Sequence, residues 1–281
     1  MPIVSILPNG GKSYMPAPSP THKPAPRGEV SGWSRDVARR NTDFLLSVQA
    51  DSLTGHGFAV SLTVKDCPPT PQDWQTLRNT FFKRLRRMGM IRAHWLTEWQ
   101  RRGVPHMHAA IWFDSERDRS LILPRLIHHW IESAAAYRAG IYSQDVKPIT
   151  GTVGWFEYLA KHATRSVTNY QRSPENIPKL WRGKTGRMWG HLGDWPTEEA
   201  KELELDTRPW HHYRRLMIRY QIGKARRLSD CSRVRYLKAY RSKAPRETSH
   251  HQALPRFWIP ERDNWELLTL AMSTHPEDQH R

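Results

Sequence analysis

The chain has 281 residues and a formal net charge of +17 at pH 7. This length allows one large or two modest domains with a hydrophobic core, and so strong a positive charge favours nucleic acid as the partner. No apolar run approaches the roughly 18 residues of a membrane-spanning helix, and the N-terminus lacks a signal-peptide pattern. Two cysteines exclude a disulfide framework and a four-thiolate zinc site. We therefore expect a cytoplasmic protein with no membrane partner.

The first third of the chain predicts an arm followed by regular structure. Residues 1–32 are rich in Pro, Gly and Ser and lack apolar periodicity, which predicts a flexible arm. A short helix is expected over 34–48. The β-branched and apolar residues 57–64 predict a central strand. Residues 71–88 predict an amphipathic helix, because apolar side chains recur at three- and four-residue steps while the arginines lie mostly off that stripe.

Two strands joined by a tight turn follow. Residues 91–100 and 104–113 predict an antiparallel hairpin, with Arg101, Arg102 and Gly103 in its turn. Patterns farther along predict a helix at 124–136 that begins at Pro124, a short strand at 144–149, a helix at 151–165, a loop at 166–185 and a last strand at 187–192.

The order of these elements predicts an α+β fold with a central, mainly antiparallel sheet and flanking helices. After Pro196 basic residues surround apolar stripes, which predicts a basic, largely helical C-terminal extension. We therefore divide the chain into an arm with a lead-in helix at 1–42, an α+β domain at 43–195 and the extension at 196–281. Thirteen tryptophans are many for this length; surface aromatics can stack on unpaired bases, but most of these are expected in the core.

The second strand of the hairpin carries a candidate metal site. Side chains on a strand alternate, so His106 and His108 share one face while Met107 points to the other. Glu98 lies on the partner strand. Two imidazoles and one carboxylate leave coordination positions open for a phosphate oxygen, which suits Mg²⁺ or Mn²⁺. The alternative interpretation is a set of polar strand residues that face water.

The predicted helix at 151–165 carries a candidate nucleophile. Tyr158, Lys161, His162 and Arg165 gather on its polar side, opposite the apolar stripe. A phenol has an ordinary pKa of about 10, so it needs a nearby cation to attack at neutral pH. A lysine can also neutralise charge on a transferring phosphoryl group. The alternative is an ordinary amphipathic helix with a surface tyrosine.

Together these motifs resemble the HUH (His-hydrophobic-His) endonuclease superfamily, and within it the rolling-circle replication initiators of small single-stranded-DNA phages and related plasmids. Residues 58–64 resemble the first motif of that superfamily, 98–113 its metal motif and 158–161 its nucleophile motif. Residues 183–190 are similar to a segment that follows the nucleophile helix in phage-type initiators. The resemblance covers roughly residues 43–195 and therefore predicts an HUH nuclease-like domain there.

The resemblance implies metal-assisted nicking of single-stranded DNA at a replication origin in a bacterial host. His106, His108 and Glu98 would hold Mg²⁺ or Mn²⁺, and Tyr158 would attack to leave a 5′-phosphotyrosine and a free 3′-hydroxyl. Lys161 would position the phosphate. A host helicase or polymerase is the further expected partner. Basic residues expected to contact the DNA backbone are Arg84, Arg87, Arg101, Arg102, Arg165 and Arg187.

Phage initiators of this kind often carry Tyr-x-x-x-Tyr, but His162 occupies the second position here, which predicts a single-tyrosine enzyme with Tyr170 as the next candidate nucleophile. A single-tyrosine HUH transposase shares the same residues and stays open. A conjugative relaxase is less favoured, because its nucleophile usually precedes the histidine motif. The alternative of another class is a non-catalytic basic DNA-binding protein, for which His106 and His108 are dispensable and binding does not depend on Mn²⁺.

Overall fold

The protein divides into two compact units, each described here by itself. One unit combines Met1–Lys23 with Glu198–Arg281, and the other is Pro24–Thr197. The computed structural model describes residues 1–16, 31–151, 154, 155, 158, 167, 169–227, 229–243 and 254–273. In these residues the fold is α+β, with two antiparallel sheets and six α-helices, so the predicted fold class is confirmed.

The strands are β1 (Ile3–Leu7), β2 (Gly10–Tyr14), β3 (His56–Thr63), β4 (Met90–Trp99), β5 (Pro105–Phe113), β6 (Asp145–Ile149), β7 (Trp189–Gly193), β8 (Lys201–Glu204) and β9 (Leu254–Trp258). The α-helices are α1 (Arg35–Ser47), α2 (Pro71–Arg87), α3 (Arg119–Ser133), α4 (Thr207–Arg227), α5 (Cys231–Lys243) and α6 (Glu261–Ser273). None of these described helices is both long enough and apolar enough to span a membrane.

The larger unit is built on a five-stranded antiparallel sheet in the order β6-β3-β5-β4-β7. β5 lies at its centre and is buried along its whole length. The register of the β4–β5 hairpin pairs Glu98 with His106 and Leu96 with His108. Because side chains alternate along each strand, the even-numbered residues of β4 and β5 share one face of the sheet.

The odd-numbered face of this sheet is covered by α2 and α3. α2 begins with a capping box in which Thr70 and Asp73 exchange side-chain-to-backbone hydrogen bonds. The Trp130 ring of α3 packs edge-to-face on Trp74 and Phe81, with ring centroids 6.0 and 5.3 Å apart. This apolar layer packs against the hairpin on the side opposite the histidines.

Aromatic side chains cover much of the opposite, even-numbered face. Trp155 packs against Trp112, Trp195 and Tyr158, with ring centroids 5.6 to 5.8 Å apart. Phe44 of α1 stacks on a histidine of β4 nearby. Ten of the thirteen tryptophans are buried and the other three are half-buried, which confirms that most of them belong to the core.

One predicted helix differs in detail from the structure, and another lies largely outside the described residues. α3 begins at Arg119 instead of Pro124, because the Asp118 side chain accepts a hydrogen bond from the Ser120 backbone and caps the helix. Pro124 therefore lies inside the helix instead of in its first turn. In the helix predicted at 151–165, residues 151, 154, 155 and 158 are helical, and the rest of it lies outside the described residues.

The smaller unit corrects the prediction for the N-terminus. Residues 3–14 form a hairpin inside a four-stranded antiparallel sheet in the order β8-β1-β2-β9, so the flexible-arm prediction is wrong there; residues 17–30 lie outside the described part of the chain. The arm was predicted from the average composition of residues 1–32. Within that range, the apolar run Ile3–Leu7 followed by Pro8-Asn9-Gly10 is a local strand-and-turn pattern. The C-terminal extension is largely helical, as predicted, with three helices, and it also contributes the two strands that complete this sheet.

Candidate functional site

The structure brings Glu98, His106 and His108 together on the even-numbered face of the larger sheet. Their nearest ligand atoms lie within 4.8 Å of one another, and all three residues are buried. The Nε2 atoms of His106 and His108 are 2.9 Å apart, and Oε2 of Glu98 is 3.5 Å from Nε2 of His108. We call these three residues the histidine–glutamate cluster. Among the described residues it is the one group of His, Cys, Asp and Glu side chains with this convergence.

A shell of polar side chains orients the cluster. The Ser61 hydroxyl lies 2.7 Å from Nδ1 of His108, because β3 pairs these two residues in register. The amide nitrogen of Gln171 lies 3.2 Å from Nε2 of His106. Arg172 donates from Nε to Oε1 of Glu98 at 2.8 Å, and its guanidinium stacks over the Trp33 ring, 4.0 Å from the centroid. Such contacts set the orientation of candidate ligand atoms before any ion binds.

These residues fit a divalent cation. His108 uses Nδ1 for Ser61 and directs Nε2 into the cluster, as metal-binding imidazoles do. Glu98 gives Oε1 to Arg172 and keeps Oε2 facing the histidine, so each residue has an atom directed at one point. Two nitrogens 2.9 Å apart can both ligate one ion at the usual metal–nitrogen distance of about 2.1 Å.

Replacing Arg172 with Met is expected to destabilise the metal-free protein strongly. Arg172 and Glu98 are an ion pair with almost no exposed surface, and removing one partner of such a pair costs about 3–5 kcal/mol. A divalent ion that binds the cluster supplies positive charge beside the same carboxylate. Saturating Mn²⁺ should therefore stabilise the variant more than the wild type, as measured by urea unfolding with and without the ion.

The matched control is Arg138→Met. Arg138 also pairs with a carboxylate through two nitrogens, that of Asp66, but this pair lies on the surface and is screened by water. Its loss should change stability little and should not change the effect of Mn²⁺. Equal unfolding midpoints for wild type and Arg172→Met would refute the role assigned to Arg172.

Tyr158 lies on the same sheet face as the cluster, but its surroundings differ from the prediction. The sequence placed it on a polar helix face, whereas it is 4% exposed and stacks on Trp155, with an interplanar angle of 24°. Its hydroxyl lies 2.9 Å from Nδ1 of His94. Burial raises the pKa of Tyr158 well above its usual value, and the charge of Glu98 adds to this effect. The resting phenol is therefore protonated.

His94 connects Tyr158 to α1. The Oδ1 atom of Asn41 lies 2.8 Å from Nε2 of His94, so Nε2 carries the proton, and Nδ1 accepts a hydrogen bond from the Tyr158 hydroxyl. Complete burial lowers the pKa of His94 to about 3, with a smaller contribution from His191. The ring stays neutral at neutral pH and holds the phenol by accepting its hydrogen bond.

The buried His94 makes stability depend on pH. Its folded-state pKa of about 3 lies below the ordinary value of 6.5, so at intermediate pH the unfolded chain binds a proton that the folded chain excludes. This contribution to stability is complete above about pH 6.5 and is lost as the pH falls. Between pH values of about 6 and 4 it should lower the free energy of unfolding by about 1.4 kcal/mol per pH unit.

The measurement compares denaturant unfolding of the wild type and of His94→Gln over this pH range. Glutamine keeps a hydrogen-bonding side chain but does not titrate. The additional fall in the free energy of unfolding with decreasing pH should appear in the wild type and be absent from His94→Gln. Equal slopes in both proteins would mean that His94 is not the buried group responsible.

Comparison with known proteins places the chain in a family. A model described as replication-associated protein ORF2/G2P matches residues 57–245. The chain belongs to this family. A putative replication protein of Xylella fastidiosa strain 9a5c is 44% identical over 267 residues, covering 92% of this chain and 93% of that protein. The replication-associated protein G2P of Pseudomonas phage Pf3 is 44% identical over 252 residues, covering 88% and 89%. No solved structure matches.

In this ORF2/G2P family member the predicted DNA contacts are scattered. Arg84 and Arg87 lie on α2, on the side of the sheet opposite the cluster, and Arg84 pairs with Glu132 of α3. Arg102 donates to the carbonyls of Val64 and Lys65 and to Gln100, so its contacts give it a structural role.

Arg101 and Arg187 are exposed on the unit that carries the cluster. Arg101 lies in the β4–β5 turn with its guanidinium 5.0 Å from the Tyr170 ring centroid. Arg187 lies two residues before the first residue of the edge strand β7. Lys161 and Arg165 lie outside the described residues.

Sequence reasoning missed five residues of this ORF2/G2P site: Ser61, His94, Gln171, Arg172 and Asn41. Ser61 and His94 lie on strands at even-face positions, so period-two alternation could have found them once the strand pairing was known. Arg172 and Asn41 had no local signal. Arg172 lies 74 residues from its partner Glu98, and Asn41 lies 53 residues from His94.

Proposed function

We propose that this protein is a metal-dependent single-strand DNA nicking and joining enzyme that initiates rolling-circle replication at an origin. The observation that carries the proposal is the convergence of Glu98, His106 and His108 on the sheet face that also carries Tyr158. Family membership supports the replication context, because the relatives are named as replication proteins and one belongs to a phage. The proposed setting is the cytoplasm of a bacterial host.

The cluster is proposed to bind Mg²⁺ or Mn²⁺ through His106, His108 and Oε2 of Glu98. Arg172 holds the other oxygen of that carboxylate, and Ser61 fixes the ring of His108. When bound, the ion would supply Lewis-acid polarisation of the scissile phosphodiester. The buried setting of these side chains strengthens their attraction for positive charge, since little water screens it.

Tyr158 is proposed as the nucleophile. Its phenolic oxygen forms a bond to the phosphorus while the bond from phosphorus to the 3′-oxygen breaks, and the leaving oxygen takes up a proton as the phenol loses one. The product is a 5′-phosphotyrosine and a free 3′-hydroxyl, which primes synthesis. Attack by a 3′-hydroxyl on the phosphotyrosine reverses the step and joins the strand. Lys161 is proposed to neutralise charge on the phosphate.

The contact between Tyr158 and His94 adds a requirement to this mechanism. The phenol is hydrogen-bonded to Nδ1 of His94 at rest, so attack requires that this hydrogen bond is lost together with the phenolic proton.

The proposal is tested by a search for the covalent intermediate. Single-stranded oligonucleotides that tile the replicon encoding this protein are labelled at the 5′ or the 3′ end and incubated with the protein and Mn²⁺. We expect one tile to form an adduct that survives denaturing electrophoresis and carries the label from the 3′ side of the nick. A host helicase or polymerase is proposed to act on the released 3′-hydroxyl.

The same experiment separates the nicking enzyme from the non-catalytic alternative. Salt-sensitive DNA binding with no adduct on any tile or its complement, in Mn²⁺ or Mg²⁺, would overturn the proposed function. The protein would then be a non-catalytic basic protein that binds the phosphate backbone through charge.

A further inference from the structure

Among the described residues, the exposed large aromatic side chains are three tyrosines, Tyr142, Tyr170 and Tyr236. Tyr170 is 49% exposed and directly precedes Gln171 and Arg172, two of the residues that contact the histidine–glutamate cluster. A half-exposed ring at the edge of a catalytic cluster has no role in the core.

We propose that Tyr170 and Arg101 form a stacking subsite for an unpaired nucleobase beside the cluster. The guanidinium of Arg101 lies over the Tyr170 ring, 5.0 Å from its centroid, so a planar cation and an aromatic ring stand together at the surface. This inference rests on the proposed function, because it assigns the binding position of a base in the single-stranded substrate.

The backbone around Tyr170 is held firmly. The ring belongs to a short 3₁₀ helix, Tyr170–Arg172, whose N-cap is Asn169; that side chain accepts from the backbone of Gln171. Asn176 donates to the Tyr170 carbonyl at 2.5 Å. The next two side chains bind the cluster itself. A ring fixed in this way loses little entropy when a base stacks on it.

The chemistry suits a nucleobase better than a phosphate. Aromatic rings stack on any base, because every base has a π-face, and arginine adds a cation–π contribution. Arg101 can also contact a neighbouring phosphate, so the pair binds both parts of one nucleotide. Since Tyr170 is adjacent in sequence to residues that touch the cluster, that nucleotide lies close to the scissile phosphate.

The first test measures single-strand binding without metal, so cleavage does not interfere. Fluorescence anisotropy with labelled oligothymidylate of about 12 nucleotides, a length within known site sizes, gives the affinity of each variant. We expect Tyr170→Ala to weaken binding about 5- to 150-fold, the range that base–aromatic stacking accounts for. Tyr170→Phe keeps the ring and should restore most of the affinity.

Two controls separate stacking from charge. On an abasic strand of the same length and phosphate number, Tyr170→Ala and wild type should bind equally, because no base is present to stack. Arg101→Ala should lower the salt dependence of binding by about 0.7 in log–log slope for one lost phosphate contact, whereas Tyr170→Ala should leave that slope unchanged.

The matched control variant is Tyr236→Ala. Tyr236 is 52% exposed and also has an arginine over its ring, Arg233 at 5.4 Å, but it belongs to the other unit. It should bind oligothymidylate within about twofold of wild type. An equal loss in Tyr236→Ala and Tyr170→Ala would overturn the proposal, and so would unchanged binding by Tyr170→Ala.

The experiments distinguish failure of this inference from failure of the proposed function. If wild type forms no adduct but the Tyr170 effect is present, the nicking activity fails and the base subsite stands. If wild type forms the adduct while Tyr170→Ala binds normally, the subsite alone fails. Loss of the adduct in Tyr170→Phe with affinity retained would also overturn the proposal, because it would make Tyr170 the nucleophile.

Discussion

Tyr158→Phe is expected to abolish the covalent protein–DNA adduct while the fold persists. The substitution removes one oxygen and leaves the ring in its aromatic cluster with Trp155. Loss of the nucleophile in other enzymes with covalent intermediates costs on the order of 10⁶ in rate, so the adduct should disappear from a denaturing gel. The lost hydrogen bond to His94 should cost about 1–3 kcal/mol of stability, which urea unfolding measures separately.

The control for this substitution is Tyr142→Phe, which removes a hydroxyl from a fully exposed ring in the short 3₁₀ helix Ile141–Ser143. It should form the adduct at the wild-type level. Single-strand binding should be equal in all three proteins, because the change affects chemistry only. An adduct that survives in Tyr158→Phe would place the nucleophile elsewhere and remove the central residue of the proposed mechanism.

Substitution of the histidine–glutamate cluster is expected to have the second large effect. His106→Ala, His108→Ala and Glu98→Gln each remove one of three candidate ligands. The affinity for Mn²⁺ should fall by more than the roughly 10- to 100-fold that loss of an outer-shell partner causes. Electron paramagnetic resonance of free Mn²⁺ during a titration measures this affinity without DNA. The nicking activity should be lost in the same variants.

Metal removal should reproduce the same pattern in the wild type. Chelation with EDTA should stop nicking and leave single-strand binding intact, since the basic surface does not depend on the ion. His128→Ala is the matched control, because His128 is an exposed histidine on α3, behind the sheet. Unchanged Mn²⁺ affinity in all three cluster variants would mean that the convergence of these side chains does not bind the ion.

Local patterns in the sequence predicted the hairpin of the larger unit. Two strand-like runs, residues 91–100 and 104–113, flank a three-residue turn, and a hairpin with so short a turn leaves little freedom of register. Strand alternation placed His106 and His108 on one face, and Glu98 was expected on the paired strand. Helices α1 and α2 also agreed with their patterns, because a stripe of apolar residues and a cap are local signals.

The distant residues that support the site could not be predicted from local patterns. Arg172 reaches Glu98, and Asn41 reaches His94, through contacts between segments far apart in the chain, and no local pattern encodes such a pairing. The burial of Tyr158 has the same origin. A helix pattern separates polar from apolar sides, but it does not show that Tyr158 of the polar side is buried against a strand that offers a hydrogen-bond partner.

The N-terminal hairpin shows the same limit at the level of the fold. Residues 3–6 pair with 201–204, and residues 10–13 pair with 254–258, so the sheet exists only when both ends of the chain meet. An isolated two-stranded hairpin is marginal in water, and neighbouring strands and an apolar layer are needed to stabilise it. The strand propensity of Ile3–Leu7 was present in the sequence, but its burial was decided by segments about two hundred residues away along the chain.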